Sequence, residues 1–304
     1  RNFPNMQMFI FAPMICIYHS KDLDGWFSVV IVGRKFSGVE LVGYDYGDPF
    51  PILKKDTPLI IVDVSFPMEH MLKMAEERNH DMTWIDHHIK SIKEYEAFMK
   101  QRDGVFCTTH IKDGIASCEL TWSALFPDQP TPRAIKLLGM YDVYRNDGSE
   151  DWEDTVLAFQ FGMRAICSSP EEFPVVLLED DDHMSDALIE VVIQKGKAIR
   201  AYMKKTDSVI MERKAFEAEF LGRPALCLNA ASFSFLSFAD RWDNTKYDVA
   251  LGFSFNGTQW SASVYTDKEG IDCTELARQL GGGGHKRASG FSVPDIFAVL
   301  KLKT

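Results

Sequence analysis

Four short stretches of the chain concentrate carboxylates and imidazoles. His19-Ser20-Lys21-Asp22-Leu23-Asp24-Gly25 follows the apolar run ICIY (15–18), and Asp63 sits inside LIIVDV (59–64). Asp86-His87-His88 follows MTWI (82–85), and Asp142 lies in MYDVYRND (140–147). Brought together, His19, Asp22, Asp24, Asp63, His87 and Asp142 would crowd four carboxylates around two imidazoles, an arrangement that repels unless cations neutralise it. A mixed nitrogen and oxygen set suits Mn²⁺ or a related divalent ion better than a cysteine-rich zinc site. The set is large enough for two ions sharing a carboxylate, the arrangement that clamps a phosphoryl group and lowers the pKa of bound water. Each residue also has an ordinary use. Asp24 could simply cap a helix starting at Trp26, and His-His pairs occur on surfaces. Asp63 is harder to dismiss, because an unpaired carboxylate in an apolar strand is costly.

Convergence requires elements that hold these stretches side by side. The runs 15–18, 59–64 and 82–85 are short, rich in β-branched residues and bounded by polar residues or proline, as buried parallel strands are. Helix-like stretches separate or follow them: Trp26–Lys35, Met68–Arg78, Ser117–Leu125 and Pro132–Met140. Alternation of this kind predicts a doubly wound α/β fold with a mainly parallel sheet, whose functional groups gather beyond the carboxyl ends of the strands. The acid cluster LEDDDHMSD (178–186) breaks the pattern, and a long helical run from Ala187 to Lys205 follows. Beyond it AFEAEFLG (215–222), ALCLNA (225–230) and DVALGFSFNGTQWSASVYT (248–266) read as strands, with a hairpin at Asn256-Gly257. SFLSFADRW (234–242) and CTELARQL (273–280) read as helical. The expected organisation is an α/β domain over 14–182, a helical connector over 183–213 and a smaller α+β domain over 214–304.

The chain has 304 residues and a formal net charge of −11, with 46% hydrophobic and 25% charged residues. This is globular composition, and two domains fit the length. The acidic balance argues against a surface that tracks a long polyanion, which needs a Lys/Arg field. Six dispersed cysteines without a C-x-x-C pair indicate reduced thiols rather than a zinc ribbon or redox motif, pointing to a cytoplasmic chain. The apolar stretch Met6 to Tyr18 falls short of the ~20 residues of a membrane span and carries Pro13. Because the chain opens on Arg, residues 1–13 are read as a leader, with Met14 or an earlier methionine as the start.

Taken in order, these motifs resemble those of the DHH phosphoesterases, whose naming triplet stands here as Asp86-His87-His88. The likeness covers His19, Asp22 and Asp24 with Gly25, then Asp63 in IVDVSF, WIDHH, and Asp142 in YDVYR. It extends to Gly281-Gly282-Gly283-Gly284-His285-Lys286-Arg287, which is similar to the glycine-rich GGGH signature of the DHH-associated substrate-binding domain. His19 stands three residues before Asp22, where many relatives have four.

The resemblance implies that His19 and Asp22 hold one divalent ion, that Asp24, His87 and Asp142 hold another, and that Asp63 bridges them. Mn²⁺ is the first candidate, with Mg²⁺ or Co²⁺ behind it. It further implies that His88 meets the scissile phosphate and that Asp86 orients a ligand histidine. Gly282, Gly283, Gly284, His285, Lys286 and Arg287 would form a loop whose backbone N–H groups and basic side chains grip the substrate. Taken alone, that run would be a flexible loop. The implied activity is hydrolysis of short oligonucleotides or dinucleotides to mononucleotides, the two domains closing around substrate. The enzymatic alternative is a small-molecule phosphatase acting on 3′-phosphoadenosine-5′-phosphate, pyrophosphate or polyphosphate. A different class is a catalytically inactive nucleotide-binding module. The expected partners are short single strands or nucleotides, not a membrane or a long duplex, with a homodimer as the candidate assembly.

Overall fold

The computed structural model describes residues 14–179 and 182–302, so the leader proposed for 1–13 and the acids Asp180 and Asp181 lie outside the described residues. The chain divides into two compact units between Ile199 and Arg200.

In the first unit, β1 (Ile15–His19), β2 (Glu40–Tyr44), β3 (Leu59–Val62), β4 (Met82–Asp86) and β5 (Thr108–Ile111) form an all-parallel sheet in the order β2-β1-β3-β4-β5. The apolar runs are continuous because both faces are covered. Ile15, Ile17, Leu59, Ile61 and Trp84 pack with α2 (Met68–Glu76) and α3 (Ile89–Met99). The alternate residues Cys16, Ile60, Val62 and Ile85 pack instead with Val29 and Val32 of α1 (Leu23–Lys35). Trp84 is fully buried and donates its indole N–H to the Val64 carbonyl at 3.1 Å; its truncation to Ala should cost about 3–5 kcal/mol.

A further cluster joins α1 to α4 (Ser117–Leu125), α5 (Arg133–Asp142) and α6 (Ala158–Ile166), the last entered through a π-helical turn at Trp152–Leu157. The strand order reverses between β1 and β3. In a doubly wound sheet that switch point opens a crevice beyond the carboxyl ends of those two strands. Both lead into the carboxylate and histidine stretches.

α7 (Asp182–Lys214) is longer than the run 187–205 expected from sequence, and the division between units falls inside it. Ile189, Val192 and Ile193 join the α1–α6 core, whereas Met211 packs with Leu226 and Leu228 of the second unit.

That second unit is a mixed sheet in the order β10-β11-β9-β8-β7-β6-β12. Its strands are β6 (Ala215–Phe220), β7 (Arg223–Asn229), β8 (Val249–Phe255), β9 (Trp260–Tyr265), β10 (Gly283–His285), β11 (Ala288–Val293) and β12 (Leu300–Leu302). Only β7 and β8 run parallel; the other pairs are antiparallel. β8 and β9 are joined at Asn256-Gly257 as the sequence predicts, with the Asn256 side chain accepting from the Thr258 and Gln259 N–H groups. α8 (Cys273–Arg278) packs on one face. The helix expected over 234–242 contracts to a single 3-10 turn at Phe235–Phe238. The α/β class with a smaller α+β unit therefore stands. No described helix is long and apolar enough to cross a membrane.

Candidate metal centre

The end of β1 is shaped by hydrogen bonds that turn the chain sharply into α1. Asp22 is the N-cap, accepting the Gly25 N–H at 3.0 Å, and the Trp26 indole donates to the Ser20 carbonyl at 3.0 Å. Gly25 is required here, since a Cβ would overlap the His19 carbonyl. α1 thus starts three residues before the expected Trp26. The capping role considered for Asp24 belongs to Asp22.

Asp24 caps a different helix. Its carboxylate, 2% exposed, accepts the Ser117 and Cys118 N–H groups at 2.8 Å each and so satisfies the first turn of α4. Asp63 follows β3 with φ of 59°, a left-handed conformation that aspartate adopts more readily than most residues. Asp142 is the last residue of α5. Asp147, five residues on, bonds locally to Ser149 and lies apart from the cluster.

The structure brings all six proposed ligands together. His19 Nδ1 lies 2.7 Å from Asp22 Oδ2 and 3.6 Å from Asp63 Oδ2. On the other side of Asp63, His87 Nε2 lies 3.4 Å from Asp63 Oδ1, 3.4 Å from Asp142 Oδ2 and 3.7 Å from Asp24 Oδ2. Three groups with ligand spacing result among the described residues, His19/Asp22/Asp63, Asp24/His87/Asp142 and Asp63/His87/His88, so Asp63 belongs to two of them and faces His87 of the other. Asp63 is 1% exposed, and neither of its oxygens accepts a hydrogen bond among the described residues. A buried carboxylate with both oxygens bare fits a bridging position between cations.

Electrostatics are those of a cluster in which protons stand where cations could. Burial lowers the His19 pKa, but Asp22 and Asp63 overcome it and hold the imidazole up at about 11. For His87 burial is likewise outweighed, by Asp63, Asp24 and Asp142, giving about 10. Burial and neighbouring carboxylates push Asp142 up to about 7 and Asp24 well above the usual range. Burial would also raise Asp63, yet the neighbouring imidazoles of His19 and His87 bring it below its ordinary value. Divalent cations would displace these protons and hold the same carboxylates.

The remaining two residues of the triplet form a couple. Asp86, fully buried, collects the His87 and His88 N–H groups at 2.7 and 3.2 Å on one oxygen, and the same oxygen lies 2.7 Å from His88 Nδ1. The ring Asp86 orients is therefore that of His88. Burial lowers the His88 pKa, but Asp86 and then Asp63 raise it above normal, favouring the imidazolium.

Asp45 and Tyr46 are site neighbours that the sequence reading missed. Asp45 Oδ1 lies 3.3 Å from His19 Nε2, and the Tyr46 ring centroid lies 6.0 Å from that of His19 and 6.2 Å from that of His88. Both follow β2, whose ELVGY run is mostly exposed at the edge of the sheet. The Tyr-Asp-Tyr-Gly-Asp stretch after it was the available signal.

The glycine run belongs to the second unit and is not a loop. Gly283–His285 form edge strand β10, paired with β11, and Lys286-Arg287 is the two-residue tip between His285 and Ala288. A Cβ at Gly282 would overlap the Gly290 carbonyl. The backbone is tied down through its carbonyls: Gly284 accepts from Thr274, Lys286 from Cys273 and Arg287 from Thr266. Arg287 pairs with Glu269 at 3.0 Å, an exposed contact of small energetic weight.

No family model matches the chain. Uncharacterized protein R106 of Acanthamoeba polyphaga mimivirus is 23% identical over 258 residues, covering 81% of this chain and 55% of that protein. The chain thus spans about half the length of the curated relative it matches. Among solved structures, the pGpG-specific phosphodiesterase PggH of Vibrio cholerae aligns over 94% of this chain and 95% of its own, with TM-score 0.48 and 12% identity. An exopolyphosphatase-related protein of Bacteroides fragilis aligns over 93% and 87%, with TM-score 0.47 and 13% identity. Exonuclease RecJ bound to manganese aligns over 93% and 86%, with TM-score 0.45 and 13% identity. Likeness at this level assigns no activity to the chain.

Proposed function

We propose that the protein is a divalent-metal-dependent phosphodiesterase that hydrolyses short oligonucleotides or dinucleotides to mononucleotides. The observation that carries this reading is Asp63, buried with neither oxygen hydrogen-bonded and lying between His19/Asp22 on one side and Asp24/His87/Asp142 on the other. His19 and Asp22 would hold one ion, Asp24, His87 and Asp142 the other, and Asp63 would bridge. Mn²⁺ suits the donor set. Bound there, the ions would supply charge neutralisation of the phosphoryl group and activation of water.

The chain's own residues account for the rest. Asp86 fixes the His88 ring through Nδ1 and favours its cation, whose positive charge would offset the charge developing on a phosphate oxygen. The backbone donors of α4 hold Asp24 in one orientation, so that side of the cluster is set before substrate arrives. In the second unit, the exposed Lys286 and Arg287 at the β10–β11 tip are assigned to the anionic end of the substrate.

The test is a panel of RNA and DNA oligonucleotides of graded length with Mn²⁺. Release of mononucleotides from dimers to pentamers, falling steeply for long strands, is the expected result. Consumption of pyrophosphate or polyphosphate with every oligonucleotide intact would replace this reading by a phosphatase. Nucleotide binding without turnover in any divalent metal would replace it by a binding module.

A further inference from the structure

The segment after β2 is tied into the candidate centre but contributes no proposed ligand. Asp45 Oδ1 faces His19 Nε2 at 3.3 Å and also accepts the Tyr46 N–H at 2.8 Å, while the Asp45 N–H donates to Asp48 Oδ2 at 2.9 Å. The Tyr46 hydroxyl accepts the Ser65 N–H at 3.3 Å, so the ring is anchored at its backbone and at its far end. Ser65 lies two residues beyond Asp63, which links this anchor to the proposed bridging carboxylate. Yet the residue as a whole stays 51% exposed, its ring centroid standing 6.0 Å from that of His19 and 6.2 Å from that of His88. Phe50, on Phe66 and His70, and Ile52 continue apolar surface along the same segment, both exposed.

A core tyrosine would be covered, and a solvated loop residue would not be pinned at both ends. An inorganic phosphate ester has no use for an aromatic face beside its phosphorus. A substrate that continues past the reacting phosphate as a flat ring does, because base-on-aromatic stacking is indifferent to base identity and adds affinity at each ring. Resting on the phosphodiesterase reading above, we infer that Tyr46 is a specificity-determining residue. Its ring stacks on the nucleobase adjoining the phosphate at the Asp63 cluster, so the site selects nucleotides over phosphate compounds lacking a base.

The experiment compares wild type with Tyr46→Ala, Tyr46→Phe and Tyr46→Trp on an RNA dinucleotide and on its abasic analogue, in Mn²⁺. Tyr46→Ala should raise KM for the dinucleotide about 10-fold and erase the preference over the abasic compound, with Mn²⁺ content unchanged. Tyr46→Phe and Tyr46→Trp should restore the preference. Equal losses on both compounds, or no change on either, would overturn the assignment. Calorimetric binding of adenosine monophosphate and of inorganic phosphate to the Mn²⁺-loaded protein separates the two readings. If wild type turns over no nucleotide, the phosphodiesterase reading fails, while an approximately 10-fold weaker monophosphate affinity in Tyr46→Ala, with inorganic phosphate unaffected, still upholds stacking. Unaltered monophosphate affinity ends it.

Discussion

The carboxyl edge of the parallel sheet and the glycine hairpin of the second unit both carry recognisable sequence motifs, but opposite forces hold them. At the sheet edge, Asp24 and Asp63 are buried, His87 is half-buried and Asp142 reaches the surface, with Asp63 in a left-handed conformation. In the hairpin, Gly282 to Arg287 are mostly exposed, regularly paired and tied by backbone hydrogen bonds. Both regions have a glycine where a Cβ would clash, Gly25 and Gly282, but only the first gathers buried charge without hydrogen-bond partners. Unsatisfied charge marks a place awaiting a ligand, whereas close backbone packing requires only that the chain fit.

Asp63→Asn should break the first region most severely. Asn tolerates the left-handed backbone, so the metal-free melting temperature should stay within a few degrees. Mn²⁺ content should drop, and dinucleotide hydrolysis should fall by at least about 10²–10³-fold. Full Mn²⁺ occupancy in this variant would remove Asp63 from the bridging position.

Metal loading should be next in size. At 100 times the dissociation constant one ion stabilises the fold by about 2.7 kcal/mol, read as a rise in melting temperature that a chelator reverses. His19 and His87, held at about 11 and about 10 without metal, are protonated at neutral pH and must lose that proton to ligate. Affinity should therefore rise with pH, about tenfold per unit for each proton displaced. Titration calorimetry in buffers of different ionisation enthalpy would count the protons; pH-independent affinity would contradict the arrangement.

On the hairpin side, Gly282→Ala should destabilise by about 1–3 kcal/mol through overlap with Gly290, with Mn²⁺ content untouched. Loss of metal together with stability would show that the two regions are not independent. The smallest effect belongs to Arg287→Ala: a severalfold rise in KM with unchanged metal content. The exposed partner Glu269 gives little reason for a change in stability.

What was readable in the sequence depended on burial. β1, β3 and β4 are apolar runs covered on both faces, and they stood out. β2 and β5 are the outer strands of the same sheet; ELVGY and TTHI carry polar and half-exposed residues, so neither signalled a strand. Missing β2 also hid Asp45 and Tyr46, which are placed only by that strand's end. α3 escaped because Ile89–Met99 begins directly after His88, where the motif drew attention to chemistry rather than periodicity.

By itself the sequence determined the inventory: which carboxylates and imidazoles exist, that they follow strands, and that a parallel sheet could gather them. Side-chain type and short-range periodicity are local properties, and local properties are written in order along the chain. Only the tertiary structure decided the pairings. Asp24 serves α4 from 93 residues away, Asp86 holds His88, the glycine run is a strand, and Asp63 is left without a hydrogen-bond partner. Those outcomes depend on which elements pack together and which buried groups find partners, and that balance is struck across the whole fold.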